Sequence, residues 1–315
     1  MKIIRHTHHS KKGSKKKIWK ILVLALVIFF AIDGLIIYKF YNDAEQSVNS
    51  TYKNVKHTNN RNVSLKGGQP FSILLLGVDT GDYGRTYQGR SDTIMLAVVN
   101  PKTKTTTLAS IPPRDTKVAI PGHGFNNKIN AAYSYSGVSG AMNIVQSYLN
   151  VPVDHYIEMN MGGLVQLSSA LGPIKVNNDL DFTNMGVHFP KGEITLNKDN
   201  ILAYTRMRYE DPRGDYGRQL RQRAVLTQLV EKITTLNGIM RYQDVLSALS
   251  SNMKTDITFD QMKTIASKYR KADNVKQLQL QGNGQMIDGV SYEVVPQSNL
   301  NKITTELRSA LDIKK

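Results

Sequence analysis

One apolar segment constrains this chain more than any other feature. Residues 18–38 read IWKILVLALVIFFAIDGLIIY, 21 residues in which only Lys20 and Asp33 are charged. At about 1.5 Å per residue a helix of this length spans roughly the 30 Å of a hydrocarbon core. Lys20 can snorkel to the headgroups, Trp19 and Tyr38 suit the two interfaces, and Asp33 and Gly34 lie near the outer end, where polar groups cost least. Residues 1–40 hold nine Lys/Arg (2, 5, 11, 12, 15, 16, 17, 20, 39) and one acid, Asp33, a net +8. The whole chain has 41 basic and 25 acidic residues; subtracting leaves 32 and 24, again +8, for the other 275. A basic flank holds the N-terminus in the cytoplasm, so the expected layout is a tail (1–17), a transmembrane signal-anchor (18–38) and an exported remainder. A cleaved signal peptide shares the basic start and apolar centre. No clear A-x-A site follows here, however, and the run is long for such a region.

This layout narrows what the charge is for. A net charge of +16 ordinarily points to nucleic acid, anionic lipid or phosphorylated ligands. A domain outside the cytoplasm does not meet chromosomal DNA, so no nucleic-acid partner is expected, and the KKGSKKK tail with His6, His8 and His9 reads as a membrane-surface signal. The absence of cysteine excludes a disulfide scaffold, a thiolate metal site and a cysteine nucleophile.

Residues 39–69, polar and ending in GGQP, read as an extracytoplasmic stalk too poor in apolar residues to supply a core. From residue 70 to 315 the pattern is that of a folded domain. FSILLLGVD (71–79) is an apolar run expected to be a strand buried on both faces. DTIMLAVVN (92–100) and TTTLASIP (105–112) are joined by a hairpin turn. Further strands are expected at 155–160, 173–180, 276–281 and 291–295. Helices are expected at 140–150, 162–172, 198–208, 218–236, 242–251, 258–271 and 298–311. The interleaving predicts an α/β (mixed α+β) domain, a central sheet with helices on both faces.

Common catalytic signatures are missing: there is no P-loop, no G-x-S-x-G and no H-E-x-x-H. Instead, charged residues gather at the predicted element ends. Asp79 closes the first strand, Arg90 and Asp92 open the second, Arg114 and Asp115 follow the third, and residues 204–223 carry arginine repeatedly and no lysine. Ligands of open α/β sheets bind beyond the carboxyl ends of strands. Arginine's planar fork grips phosphate oxygens bidentately, although Arg218, Arg221 and Gln222 would also share one helix face through spacing alone. Asp79 and Asp92 are equally ordinary as turn and cap residues. Beside the arginines they match what Mg2+ takes, one or two carboxylates plus phosphate oxygens and water, and together they make the parts of a pyrophosphate site.

Six blocks in order, LLLGVD (74–79), GRSDTIMLAVVNP (89–101), SIPPRDTKV (110–118), KINAAYSYSG (128–137), DHYIEMNMGGLVQLSSALG (154–172) and YTRMRYEDPRGDYGRQLRQRAVL (204–226), resemble the LytR-CpsA-Psr family of cell-wall assembly enzymes. The resemblance covers about 71–235. It implies an enzyme on the outer face of the Gram-positive cytoplasmic membrane that uses Mg2+, or Mn2+ in its place. Such enzymes transfer a glycopolymer (teichoic acid, capsule or a related polysaccharide) from an undecaprenyl-pyrophosphate carrier to peptidoglycan. By the same resemblance Asp79 and Asp92 match metal positions, and Arg90, Arg114, Arg206, Arg208 and Arg218 match pyrophosphate contacts. Gln222 matches a polar contact beside them, and an apolar groove would hold the polyprenyl chain. The sequence departs from the family at IPPRD, where a second proline precedes Arg114 and can bulge its loop.

The implied chemistry is phosphoanhydride cleavage, with Arg114, Arg206 and Arg208 stabilising the charge that develops and a carboxylate, Asp92 or Asp115, accepting the proton of the attacking hydroxyl. Hydrolysis by water is a variant of the same chemistry. The alternatives of other classes are a non-catalytic polyprenyl-pyrophosphate binder and an envelope-related transcriptional regulator. The 17 residues of the tail leave no room for a helix-turn-helix.

Overall fold

The computed structural model describes residues 35, 37–59, 61–79, 89–111, 116–120, 126–233 and 240–313. The chain divides into two compact units, 1–46 and 47–315. In the first, residues 37–46 are helical, with Leu35, Ile37 and Tyr38 exposed. No helix among the described residues is long and apolar enough to cross a membrane; most of segment 18–38 lies outside them.

The second unit is mixed α/β around a six-stranded sheet. Its strands are β1 (Phe71–Val78), β2 (Ser91–Asn100), β3 (Thr105–Ser110), β6 (His155–Asn160), β11 (Met253–Thr255) and β12 (Asn274–Gln279), in spatial order β11-β6-β1-β2-β3-β12. Pairing is parallel for β1–β6 and β3–β12 and antiparallel for β1–β2, β2–β3 and β6–β11. Consequently β1, β3, β6 and β12 all point their carboxyl ends at one edge, where β2 begins.

The apolar run 71–79 is explained by this central position. Leu74, Leu76 and Val78, with Ile94, Leu96 and Val98 of β2, face a core closed by α1 (Ala131–Leu149) and α7 (Gln297–Ala310). Leu75, Met95, Ala97 and Leu108 point the other way, onto Leu226 of α4 (Asp215–Ile233). Helices therefore cover both faces, as expected. Each fully buried Leu, Ile or Val contributes about 1.5–3 kcal/mol of transfer free energy. A second core gathers α2 (Met161–Leu171), β7 (Ile174–Asn178), β10 (Gly192–Leu196), α3 (Ile201–Arg206), α4 and α5 (Tyr242–Asn252), with Phe182 and Phe189 from the small hairpin β8–β9 (Phe182–Asn184, Val187–Phe189).

Several expectations shift. Helix α1 starts at Ala131 and not at 140, with non-helical angles at Ser136 and Gly137 (φ 58°); that interruption masks its first turns from a periodicity search. The helix expected over 198–208 is only Ile201–Arg206, because Met207 turns extended (φ −57°, ψ 133°). Strands β4 (Lys117–Ala119), β5 (Asn126–Lys128), β8, β9 and β11, three residues each, are too brief to show a pattern; the hairpin strand β13 (Asn283–Ile287) opens on Asn-Gly and carries no apolar alternation, whereas its partner β14 (Val290–Val294) coincides with an expected strand. The last helices are α6 (Phe259–Lys268) and α7. The stretch read as a stalk also contributes packing. Leu65 is buried with Phe71 and Tyr269, whose rings meet edge-on at 5.0 Å, and Arg61 pairs with the buried Asp154 at 2.8 Å. One leucine and one arginine aimed into prepared sites dock a segment whose average composition is polar.

Candidate active site

The strand ends assemble the site. Asp79 leaves β1 nearly buried, at 9% exposure, and Asp92 lies opposite on β2. The β1–β2 register shifts here: Gly77 faces Thr93 and Val78 faces Ser91, so Asp92 is the extra residue of a β-bulge. Bulges re-aim a side chain at a sheet rim, and this one interrupts the alternation that would otherwise fix Asp92 on one face. Gly89 holds Asp79 closely; a Cβ there would fall 2.0 Å from its Oδ1, so only glycine permits the approach. Arg90 follows, exposed.

Helix α4 supplies the opposing wall. Its first residue, Asp215, is buried and forms an ion pair with Arg218. It also accepts a hydrogen bond from Gln219 Nε2 at 3.1 Å and lies 3.9 Å from Arg208 Nε. Arg218, 5% exposed, donates from Nη2 to the carbonyl of Asp92 at 3.3 Å. Two predicted arginines, Arg208 and Arg218, thus converge on one carboxylate, and Arg218 reaches the bulged strand. Asp215 was not among the candidates from sequence; its signal is the acidic residue in the first turn of a helix, which reads there as capping. Arg206 ends α3, half-buried, two residues before Arg208. Gln222, one turn beyond Arg218, keeps its Oε1 buried without a hydrogen-bond partner among the described residues. Arg114 and Asp115 lie outside the described residues.

The arginine-rich turn is not one functional set. Arg213 donates to Asp211 Oδ1 at 2.9 Å and to Asp179 Oδ1 at 3.0 Å. Arg221, 2% exposed, donates to Asp211 Oδ2 at 2.7 Å and to the Met207 carbonyl at 2.6 Å, and its guanidinium lies 5.2 Å from the centre of the Phe182 ring. Burial alone would raise the Asp211 carboxyl, but hydrogen bonds from Arg213 and Arg221 outweigh it and hold the group at about 2. Arg223 donates to Gln277 Oε1 at 3.0 Å and to Ser110 Oγ, and burial lowers it to about 10. Arg213, Arg221 and Arg223 build the turn and seat α4 on the sheet, whereas Arg208 and Arg218 gather at Asp215.

No cluster of three or more His, Cys, Asp or Glu able to hold a metal occurs among the described residues. Asp79 and Asp92 still fit a hard cation that takes one or two carboxylates and completes its shell with water and substrate oxygens. Gly89, packed directly on the Asp79 carboxylate, sets the position of that group at the end of β1.

Comparison with known proteins decides the family: the LytR_cpsA_psr family model matches residues 35–309. The chain is a member of the LytR-CpsA-Psr family. A relative in Enterococcus faecalis, named polyisoprenyl-teichoic acid–peptidoglycan teichoic acid transferase TagU, is 50% identical over 301 residues, covering 95% of this chain and 99% of the relative. The crystal structure of Bacillus subtilis TagU shares 40% identity with a TM-score of 0.62, covering 78% of this chain and 99% of that one. A structure of TagT bound to LI-WTA shares 27% identity with a TM-score of 0.66 over 82% of this chain and all of that one. This family member therefore matches its relatives along nearly their whole length.

Proposed function

We propose that the protein is a membrane-anchored, extracytoplasmic phosphotransferase. It attaches an anionic glycopolymer, carried on a polyisoprenyl (undecaprenyl) pyrophosphate, to peptidoglycan. The observation that carries this reading is the convergence of Arg208 and Arg218 on Asp215, within reach of the bulged strand that bears Asp92. Full-length relatives named as teichoic acid transferases supply the substrate class.

In this reading the pyrophosphate lies along the sheet edge, held by Arg90, Arg114, Arg206, Arg208 and Arg218, with Gln222 Oε1 taking a donor from the ligand. Asp215 fixes Arg208 and Arg218 before the substrate arrives, so little reorganisation accompanies the growth of charge on the leaving lipid phosphate. The acceptor hydroxyl attacks the phosphorus next to the polymer, and its proton passes to Asp92 or Asp115. Asp79 and Asp92 would hold Mg2+ or Mn2+, which when bound neutralises phosphate charge. Segment 18–38 anchors the chain, its tail in the cytoplasm.

The test uses the full chain with lipid-pyrophosphate-linked polymer, Mg2+ and peptidoglycan. Polymer should become covalently linked, and R206A with R208A should lower turnover at least about 100-fold. Lipid binding without linkage would leave only a carrier-binding protein. Polymer released equally with and without peptidoglycan would mean hydrolysis.

A further inference from the structure

Tyr209 is 94% exposed, the most exposed of the large apolar side chains among the described residues, yet the residues on either side of it are hydrogen-bonded into the turn. On one side Met207 is buried and its carbonyl accepts from Arg221 Nη2 at 2.6 Å. On the other, Glu210 Oε2 accepts the Thr183 amide at 3.0 Å, and the buried Asp211 is bonded to Arg213 and Arg221. The Asp211 carbonyl accepts the Gly214 amide at 2.7 Å, closing the turn. Backbone contacts at Met207 and Asp211 and the side-chain contact of Glu210 bracket Tyr209 and restrict the main chain that carries its ring. The guanidinium of Arg208 lies 5.9 Å from the centre of its ring, so the side chain that converges on Asp215 also borders this ring.

A lone exposed aromatic residue ordinarily needs no explanation. Here three observations coincide: the exposure is nearly complete, the turn is anchored on both sides, and the contacting cation belongs to the candidate site. A rigid tyrosine offers a large flat amphipathic surface at small entropic cost, and the axial C–H face of a pyranose ring is the chemical match for such a surface.

We infer that Tyr209 is a stacking platform for a sugar ring of the peptidoglycan glycan strand, and that it presents the acceptor to the edge bearing Arg208. Near-complete exposure suits a substrate that arrives from solvent, whereas the carrier-linked donor enters along the arginines. This rests on the transferase reading, whose failure is read separately below.

The test compares Tyr209→Leu and Tyr209→Phe in the full chain. The Leu variant should raise the KM for uncross-linked peptidoglycan strands about five- to tenfold. Its kcat, donor KM and melting temperature should stay within experimental scatter of the parent, and the Phe variant should match the parent because the ring is kept. Binding of soluble glycan strands, measured without donor, should weaken in Leu and not in Phe. The inference is overturned by an unchanged acceptor KM in Leu, by a rise in donor KM instead, or by Phe failing as Leu does. Intact strand binding with no transfer by the parent would refute the transferase reading and leave the platform standing.

Discussion

Replacing Asp211 tests the division of the arginine turn into structural and ligand-side members. Its carboxylate is fully buried and shared by Arg221, itself 2% exposed, and Arg213. The fall of its pKa from the ordinary 3.8 to about 2 corresponds to roughly 2.5 kcal/mol of charge-dependent stability. The group is depressed in the folded state, so this contribution is complete above about pH 4 and disappears as the pH falls towards about 2. Asp211→Asn keeps the shape and one acceptor but leaves the Arg221 cation buried without its counter-charge. The expected loss is about 2–3 kcal/mol, and Asp211→Ala should approach the roughly 3–5 kcal/mol of a broken buried pair. For a folded unit of this size that is a fall in Tm of roughly 5–15 °C. Thermal and urea unfolding of the purified protein read it directly, and the Asn variant should lose part of the parent's decline in stability between pH 4 and 2. In a cycle with Arg221→Met, the double variant should be less destabilised than the sum of the singles. A melting temperature within about 1 °C of the parent at neutral pH, or strict additivity, would refute the assignment of Arg221 to the turn's framework.

Gly89→Ala should leave melting nearly unchanged while sharply reducing turnover and raising the Mg2+ concentration for half-maximal rate, because a Cβ 2.0 Å from Asp79 Oδ1 displaces that carboxylate. Equal rate and metal dependence would remove Asp79 from the site. Arg218→Lys keeps the charge, but its Nη2 contacts to Asp215 and the Asp92 carbonyl must be remade by one ammonium and the planar set of donors suited to phosphate oxygens is lost. Steady-state kinetics should show kcat/KM lower by about 100-fold, with stability changed by less than about 1.5 kcal/mol.

How much of this was legible beforehand follows the range of the interactions. The buried strand 71–78, the β2–β3 hairpin and the helix Met161–Leu171 announce themselves through local periodicity and turn chemistry. The helix break at Met207 does not; the partner of its carbonyl is Arg221, 14 residues further along the chain. Composition marked the arginine turn as unusual but could not separate Arg208 and Arg218 from Arg213 and Arg221, because the sorting is done by Asp215, Asp211 and Asp179 in three dimensions. The bulge at Asp92 is a property of two strands in register, invisible along either one.

The central claim is that the sheet edge between Asp79, Asp92 and the arginines is where a lipid pyrophosphate is held. The most direct measurement is a crystal structure of the protein with polyprenyl pyrophosphate and Mg2+. The pyrophosphate should lie among Arg90, Arg206, Arg208 and Arg218, with the ion on Asp79 and Asp92. Lipid bound elsewhere, with these arginines facing only protein and solvent, would contradict it.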